Sequence, residues 1–212
     1  TLSQTSGVAG PALTEQAMNG TLPLAEVYAQ RLHTLSPSRA RLQEVGRRYI
    51  AAAVQDAREV IAALRHLGKQ VGIVSGGLRE PVAAFAAHLG IADRDVHAVP
   101  IRFAADGSYI DFDRSSPLWR NGGKIEVLRA LPAHCRPLAF VGDGVTDLET
   151  QGTAADLFVG FGGVAARARV QQEAETWFAT PSLAPLLRLV LDDREIEQLQ
   201  RHAPFHPLLA RA

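Results

Sequence analysis

The sequence predicts an α/β protein with a Rossmann-like parallel sheet, a small helical unit in front of it and a β-hairpin insertion. Two observations carry this. Short apolar runs alternate with helical patterns from about residue 51 onward, the rhythm of a parallel sheet with helices on both faces. Before that point the pattern is helical and amphipathic only, without β-like alternation.

The elements follow in order. Residues from about Thr14 to Ile50 read as helix, broken by Gly20 and Pro23 and again at Ser36-Pro37-Ser38. A helix is expected from about Ala51 to Leu67, closed by Gly68. Gln70-Val71-Gly72-Ile73-Val74 reads as a buried strand running into a Ser75-Gly76-Gly77 loop. Pro81 lies near the first turn of the next helix, which stops at Gly90. Ile101-Arg102-Phe103 and Tyr109-Ile110-Asp111-Phe112 flank Asp106-Gly107, a hairpin signal within residues 98–112. Ser116 to Gly123 is a loop, and Lys124 to Leu131 is helical. Leu138-Ala139-Phe140-Val141, Leu157-Phe158-Val159-Gly160 and Trp177-Phe178-Ala179 are three further strands. The expected division is a helical segment over 1–48, an α/β core over 49–191 and a tail over 192–212.

Bulk properties narrow the function. Hydrophobic residues make up 47% and charged residues 21%, as in soluble globular proteins. Formal net charge is zero and the basic residues form no block, so neither nucleic acid nor an anionic membrane is an expected partner. No apolar run reaches the roughly 18 residues of a membrane span. Cys135 is the single cysteine, the first twenty residues carry no basic residue, and the expected location is the cytoplasm. The 22 basic residues include only two lysines, Lys69 and Lys124, which draws attention to each.

Ligands of such sheets bind at the carboxyl ends of the strands, where Ser75 and Asp143 fall. Gly142-Asp143-Gly144-Val145-Thr146-Asp147 offers two carboxylates behind an apolar strand, with glycines that permit close approach. Hard Mg²⁺ prefers such oxygen ligands. Ser75-Gly76-Gly77 supplies a hydroxyl and backbone N–H groups suited to phosphate oxygens. Lys124, after Gly122-Gly123, is a point charge for a phosphate. Singly, Ser-Gly-Gly is a turn, Gly-Gly-Lys a loop with a solvated lysine, and Asp-Gly ordinary turn chemistry. Two acids and a hydroxyl in one strand-end turn go beyond that.

The ordered set is Val74-Ser75-Gly76-Gly77, Gly122-Gly123-Lys124, Val141 to Asp147, then Phe158-Val159-Gly160-Phe161-Gly162-Gly163. It resembles the haloacid dehalogenase superfamily and, within it, the phosphoserine phosphatases. Thr14 to Gly20 and Gln30-Arg31-Leu32 resemble the helical cap of those enzymes. The resemblance spans residues 1 to about 190. It implies a Mg²⁺-dependent phosphatase acting on a small-molecule phosphomonoester through an aspartyl phosphate, with O-phospho-L-serine favoured. It implies that Ser75 holds the phosphate, Lys124 neutralises it, Asp143 ligates Mg²⁺, and Asp147 supports the metal and its waters. Met18, Asn19, Gly76, Gly77 and Thr146 would line the substrate pocket. Arg31 would clamp a carboxylate, and Arg167 would add positive charge near the phosphate.

Two departures accompany it. The superfamily's Asp-x-Asp-x-Thr motif is absent, and Thr1-Leu2-Ser3 reads as its end. The nucleophile is therefore expected four residues upstream of Thr1, outside this chain. Ser6 stands where an acidic residue would meet the substrate ammonium. The alternatives are a phosphatase for another small phosphomonoester and a phosphate-binding remnant without turnover. Gly160-Phe161-Gly162-Gly163-Val164-Ala165 also fits a dinucleotide fingerprint. It lies late in the chain, though, and has no acid about 20 residues on. His202 and His206 have a metal-compatible spacing, but Pro204 argues for a surface tail instead. Whether the tail packs on the core or makes a homodimer is left open.

Overall fold

The computed structural model describes residues 24–212. The stretch from Thr14 to Pro23, Ser6 and the Thr1-Leu2-Ser3 start lie outside the described residues. Two helices come first, α1 (Leu24–Leu35) and α2 (Arg39–Ala51). They are separated where the sequence places the break, and the Ser38 side chain accepts the Arg41 N–H to cap α2. Gly46 of α2 faces Pro81 and Ala84 of α4 (Arg79–His88), where a side chain would press on Ala84. The missing side chain lets the two helices cross closely.

The helix expected over 51–67 is not continuous. α2 ends at Ala51, and α3 spans Ala57–His66. Between them Asp56 adopts a left-handed conformation (φ 63°). Gln55 pairs as an isolated bridge with Ser182. The break is imposed by partners distant in sequence, which a periodicity reading does not contain. The first strand is also shifted: β1 spans Ile73–Leu78 and includes Ser75-Gly76-Gly77. It runs parallel to β2 (Val96–Val99), a short strand not read from the sequence, and its register slips between Val74 and Leu78. The predicted hairpin forms as β3 (Ile101–Phe103) against β4 (Tyr109–Phe112).

A turn at Pro117–Trp119 leads into α5 (Gly123–Ala130). The second parallel sheet is β5 (Ala139–Gly142), β6 (Leu157–Phe161) and β7 (Thr176–Phe178), with β6 central. The connections carry α6 (Val145–Leu148) and α7 (Ala168–Glu173). Beyond β7 come α8 (Leu186–Val190), α9 (Asp193–Gln200) and α10 (His206–Leu209).

Alternation along the strands places the helices. Ile73 and Val141 pack toward α3, through clusters holding Ala57 and Ile61 or Val60 and Ala63. Val74 and Phe140 pack toward Leu128 of α5. Helices α3 and α5 therefore cover opposite faces, and each touches both parallel sheets. Among the described residues β1 pairs only with β2, and β5 only with β6. The arrangement is one doubly wound layer interrupted between β1 and β5.

The C-terminal residues close the core. Asp192 and Glu195 form a reciprocal cap at the start of α9. Ile196, Leu199, Leu208 and Leu209 are buried against Val60, Ala63 and Val159. His202 meets His66 edge-on and His206 Nε2 contacts the Gln200 carbonyl, and both histidines lie exposed at the surface. No helix among the described residues is long and apolar enough to cross a membrane.

Candidate active site

The turn after β5 and the first turn of α5 form the polar centre of the molecule. Asp147, on α6, turns back on its own turn, where its Oδ2 accepts the Gly144 N–H at 3.0 Å. A Cβ at Gly142 would collide with the Asp147 carboxylate. Glycine is therefore required there by close approach. Gly142→Ala is expected to push Asp147 off Lys124 and to cost about 1–3 kcal/mol through overpacking. A melting curve and a crystal structure of the variant would check both.

Lys124 enters from the first turn of α5. Gly122 caps that helix in the left-handed region (φ 73°), and the Lys124 ammonium meets Asp147 Oδ1 at 2.5 Å. Their side chains are 14% and 8% exposed, so the pair is largely desolvated and its Coulomb attraction is strong. Arg167, at the start of α7, forms an ion pair with Asp143 Oδ2. Asp143 is the most open of the four, at 36%. Thr146 is buried on α6 between the two carboxylates in sequence.

The fold thus joins Lys124, Asp143, Asp147 and Arg167 directly, from three separate segments. Ser75, Gly76 and Gly77 lie in the middle of β1, against which α5 packs. Ser75 Oγ accepts the Gly77 N–H at 3.0 Å, which holds the oxygen and leaves the hydroxyl proton for a ligand. A side chain at Gly76 would press on the Leu118 carbonyl, so the 117–119 turn sits directly over this stretch. Helix α1 packs on the same turn and carries Arg31. Burial is the main cause that lowers the Arg31 pKa, and the nearby Tyr28 hydroxyl opposes it. Met18 and Asn19 lie outside the described residues.

Glu149 was passed over in the sequence. It follows α6 directly, and its carboxylate accepts the Gly122 N–H. Only its place two residues after Asp147 could have drawn notice. The glycines of the dinucleotide-like run have a packing reason. Side chains at Gly160 and Gly162 would strike the Trp177 ring.

Two carboxylates and two cations, paired crosswise at strand ends, form a site that can take up a phosphate dianion by sharing its cations. Hard oxygen donors also suit Mg²⁺. Both oxygens of Asp147 already serve Lys124 and Gly144, so Asp143 is the better direct ligand. No cluster of three metal-binding side chains occurs among the described residues.

Known proteins share this chain's sequence and fold. The family model for haloacid dehalogenase-like hydrolases matches residues 12–150. Phosphoserine phosphatase of Bos taurus is 35% identical over 170 residues, 79% of this chain and 75% of that protein. The Mus musculus enzyme matches equally, at 35% over the same coverage. A phosphoserine phosphohydrolase-like protein from Francisella tularensis shares the fold, with a TM-score of 0.73 and 24% identity. That match covers 85% of this chain and 83% of the other. The chain belongs to the haloacid dehalogenase-like hydrolases and, among them, to the phosphoserine phosphatase group of phosphoric monoester hydrolases.

Proposed function

We propose that the protein hydrolyses O-phospho-L-serine to L-serine and phosphate through an aspartyl phosphate, in the cytoplasm. The observation that carries this is the crosswise set of Lys124–Asp147 and Arg167–Asp143 at the ends of β5 and α5. It holds two cations against the two carboxylates of one strand-end turn, the kind of charge a transferring phosphoryl group requires. The relatives named phosphoserine phosphatase support the substrate.

Each residue has a task in this reading. The Ser75 hydroxyl donates to a phosphate oxygen, held in place by the Gly77 amide. Lys124 divides its three N–H donors between Asp147 and the phosphoryl oxygens, so charge neutralisation requires no reorganisation of the helix. Arg167 swings part of its fork from Asp143 to the phosphate. Arg31 holds the substrate carboxylate. Mg²⁺, held by Asp143 with Asp147 behind it, would supply further neutralisation of the phosphoryl charge.

No described residue is placed as a nucleophile. The interruption between β1 and β5, covered on both faces by α3 and α5, supports a further parallel strand in that position. Its carboxyl end would bring an aspartate between Ser75 and Asp143.

The test is phosphate release by the full-length protein from O-phosphoserine, phosphocholine and sugar phosphates, with and without Mg²⁺. The expected result is at least about a tenfold preference in kcat/KM for O-phosphoserine, given its extra contact with Arg31, and no turnover once Mg²⁺ is chelated. Preference for another ester would move the substrate assignment. Binding of O-phosphoserine without turnover would make the site a recognition pocket.

A further inference from the structure

We propose that Glu149 is a positioning residue for Lys124, a clamp that fixes the start of α5 while the lysine tip divides its donors between Asp147 and phosphate. The inference rests on the phosphatase reading for the lysine's role, and its geometry stands apart from it.

Lys124 is a long side chain on a flexible stem. Its contact with Asp147 fixes the ammonium but not the backbone behind it. When a phosphate arrives, that contact must be shared; apolar packing of Leu128 and Leu148 in one cluster still joins α5 to α6, but it does not fix the loop ahead of Lys124. The segment before Lys124 is a loop with two glycines. Gly122 is left-handed, and Gly123 is packed so closely under the Pro117 carbonyl that no side chain fits. Such a loop is precise only if its polar groups are tied.

Glu149 ties them. Its Oε2 accepts the Gly122 N–H at 3.0 Å and its Oε1 accepts from Asn121 Nδ2 at 3.4 Å, bridging 27 and 28 residues of sequence. Gly122 is the residue that caps α5. The carboxylate therefore sits at the positive end of an eight-residue helix, where its charge is favoured. Glu149 itself directly follows the helix that carries Thr146 and Asp147. Two cross-links thus join α6 to α5. Asp147 holds the lysine tip and Glu149 holds the lysine's backbone, and only the first is shared with substrate. A glutamate merely solvated on the helix face would not place both oxygens on one loop.

The experiment uses the full-length protein in a two-by-two design. Glu149→Ala and Glu149→Gln are each made in the Lys124 background and in Lys124→Gln, which keeps a donor for Asp147. Affinity for inorganic phosphate is measured by calorimetry, and kcat and KM with O-phosphoserine. With Lys124 present, Glu149→Ala should weaken phosphate binding by about fivefold or more. It should also lower kcat by about 10- to 100-fold with KM changed less than about threefold. Glu149→Gln retains one acceptor oxygen and should recover most of both. In Lys124→Gln, Glu149→Ala should change phosphate affinity by less than about twofold.

An equal loss in both lysine backgrounds would overturn the proposal, because Glu149 would then act on the fold and not through Lys124. So would an unchanged phosphate affinity in Glu149→Ala. If the unaltered protein binds phosphate but does not hydrolyse O-phosphoserine, the substrate reading fails alone and the phosphate cycle still decides the clamp.

Discussion

Lys124→Ala is expected to lower kcat/KM for O-phosphoserine by at least about a thousandfold, the scale of losing a desolvated cation from a phosphoryl-transfer site. The reason is positional. The Lys124 ammonium is among the most buried charges of the site and already touches Asp147, so its field acts with little water to screen it. The change also leaves the Asp147 carboxylate buried with, among the described residues, only the Gly144 N–H as partner, so the melting temperature should fall as well. Lys124→Arg separates the two effects. It restores a cation for Asp147 but cannot reproduce the point charge of an ammonium in the same space. Stability should largely return while activity remains at least about a hundredfold down. Phosphate-release kinetics and melting curves on the three proteins decide it. Activity of Lys124→Ala within tenfold of the unaltered protein would remove Lys124 from the reaction.

Asp56→Ala should give the largest stability effect outside the site. Asp56 is buried at the break before α3, in a left-handed conformation. Arg211 donates to both its oxygens, at 2.7 and 3.1 Å, and the Ser182 hydroxyl adds a third bond at 2.6 Å. One carboxylate thereby ties the start of α3, the segment after β7 and the C-terminal end. Loss of these charge-assisted bonds, with alanine less tolerant of the left-handed region, should cost about 3 kcal/mol. For a chain of this length that is a melting temperature lower by roughly 6–12 °C.

The pH dependence has a definite sign. The Arg211 hydrogen bond holds the Asp56 carboxyl below the ordinary range, whereas in the unfolded chain an aspartate titrates near about 3.9. The contribution is therefore complete above that unfolded value and is lost as pH falls through the lower folded one. The gap between Asp56→Ala and the unaltered protein should narrow at acid pH. A gap that stays constant down to about pH 3 would exclude the carboxylate charge as its origin.

The strands β5 and β6 were legible because their apolar runs are continuous and end in glycine-rich turns, a pattern that belongs to buried parallel strands. The hairpin was legible because Asp106-Gly107 is turn chemistry between two alternating segments. β2 was not. Val96–Val99 is four residues long, too short for periodicity to separate from its surroundings. The extension of β1 through Ser75-Gly76-Gly77 was read as loop, since glycine gives no side chain for a pattern to register.

For the site, residue types and order drew attention to Ser75, Lys124, Asp143 and Asp147, whereas Arg167 came only with the family resemblance. For the last twenty or so residues the sequence offered packing on the core and self-association alike, since nothing local names a partner. Only the tertiary structure determined that Ile196, Leu199 and Leu208 cover α3 and β6. It alone decided which cation meets which carboxylate, that Glu149 reaches Gly122, and that Asp56 and Arg211, 155 residues apart, close the molecule. The physical reason is the same throughout. Local propensity and pattern act within a few residues and are written in the sequence. A pairing between distant polar groups depends on where the packed elements bring them, and that becomes definite only when the core has formed.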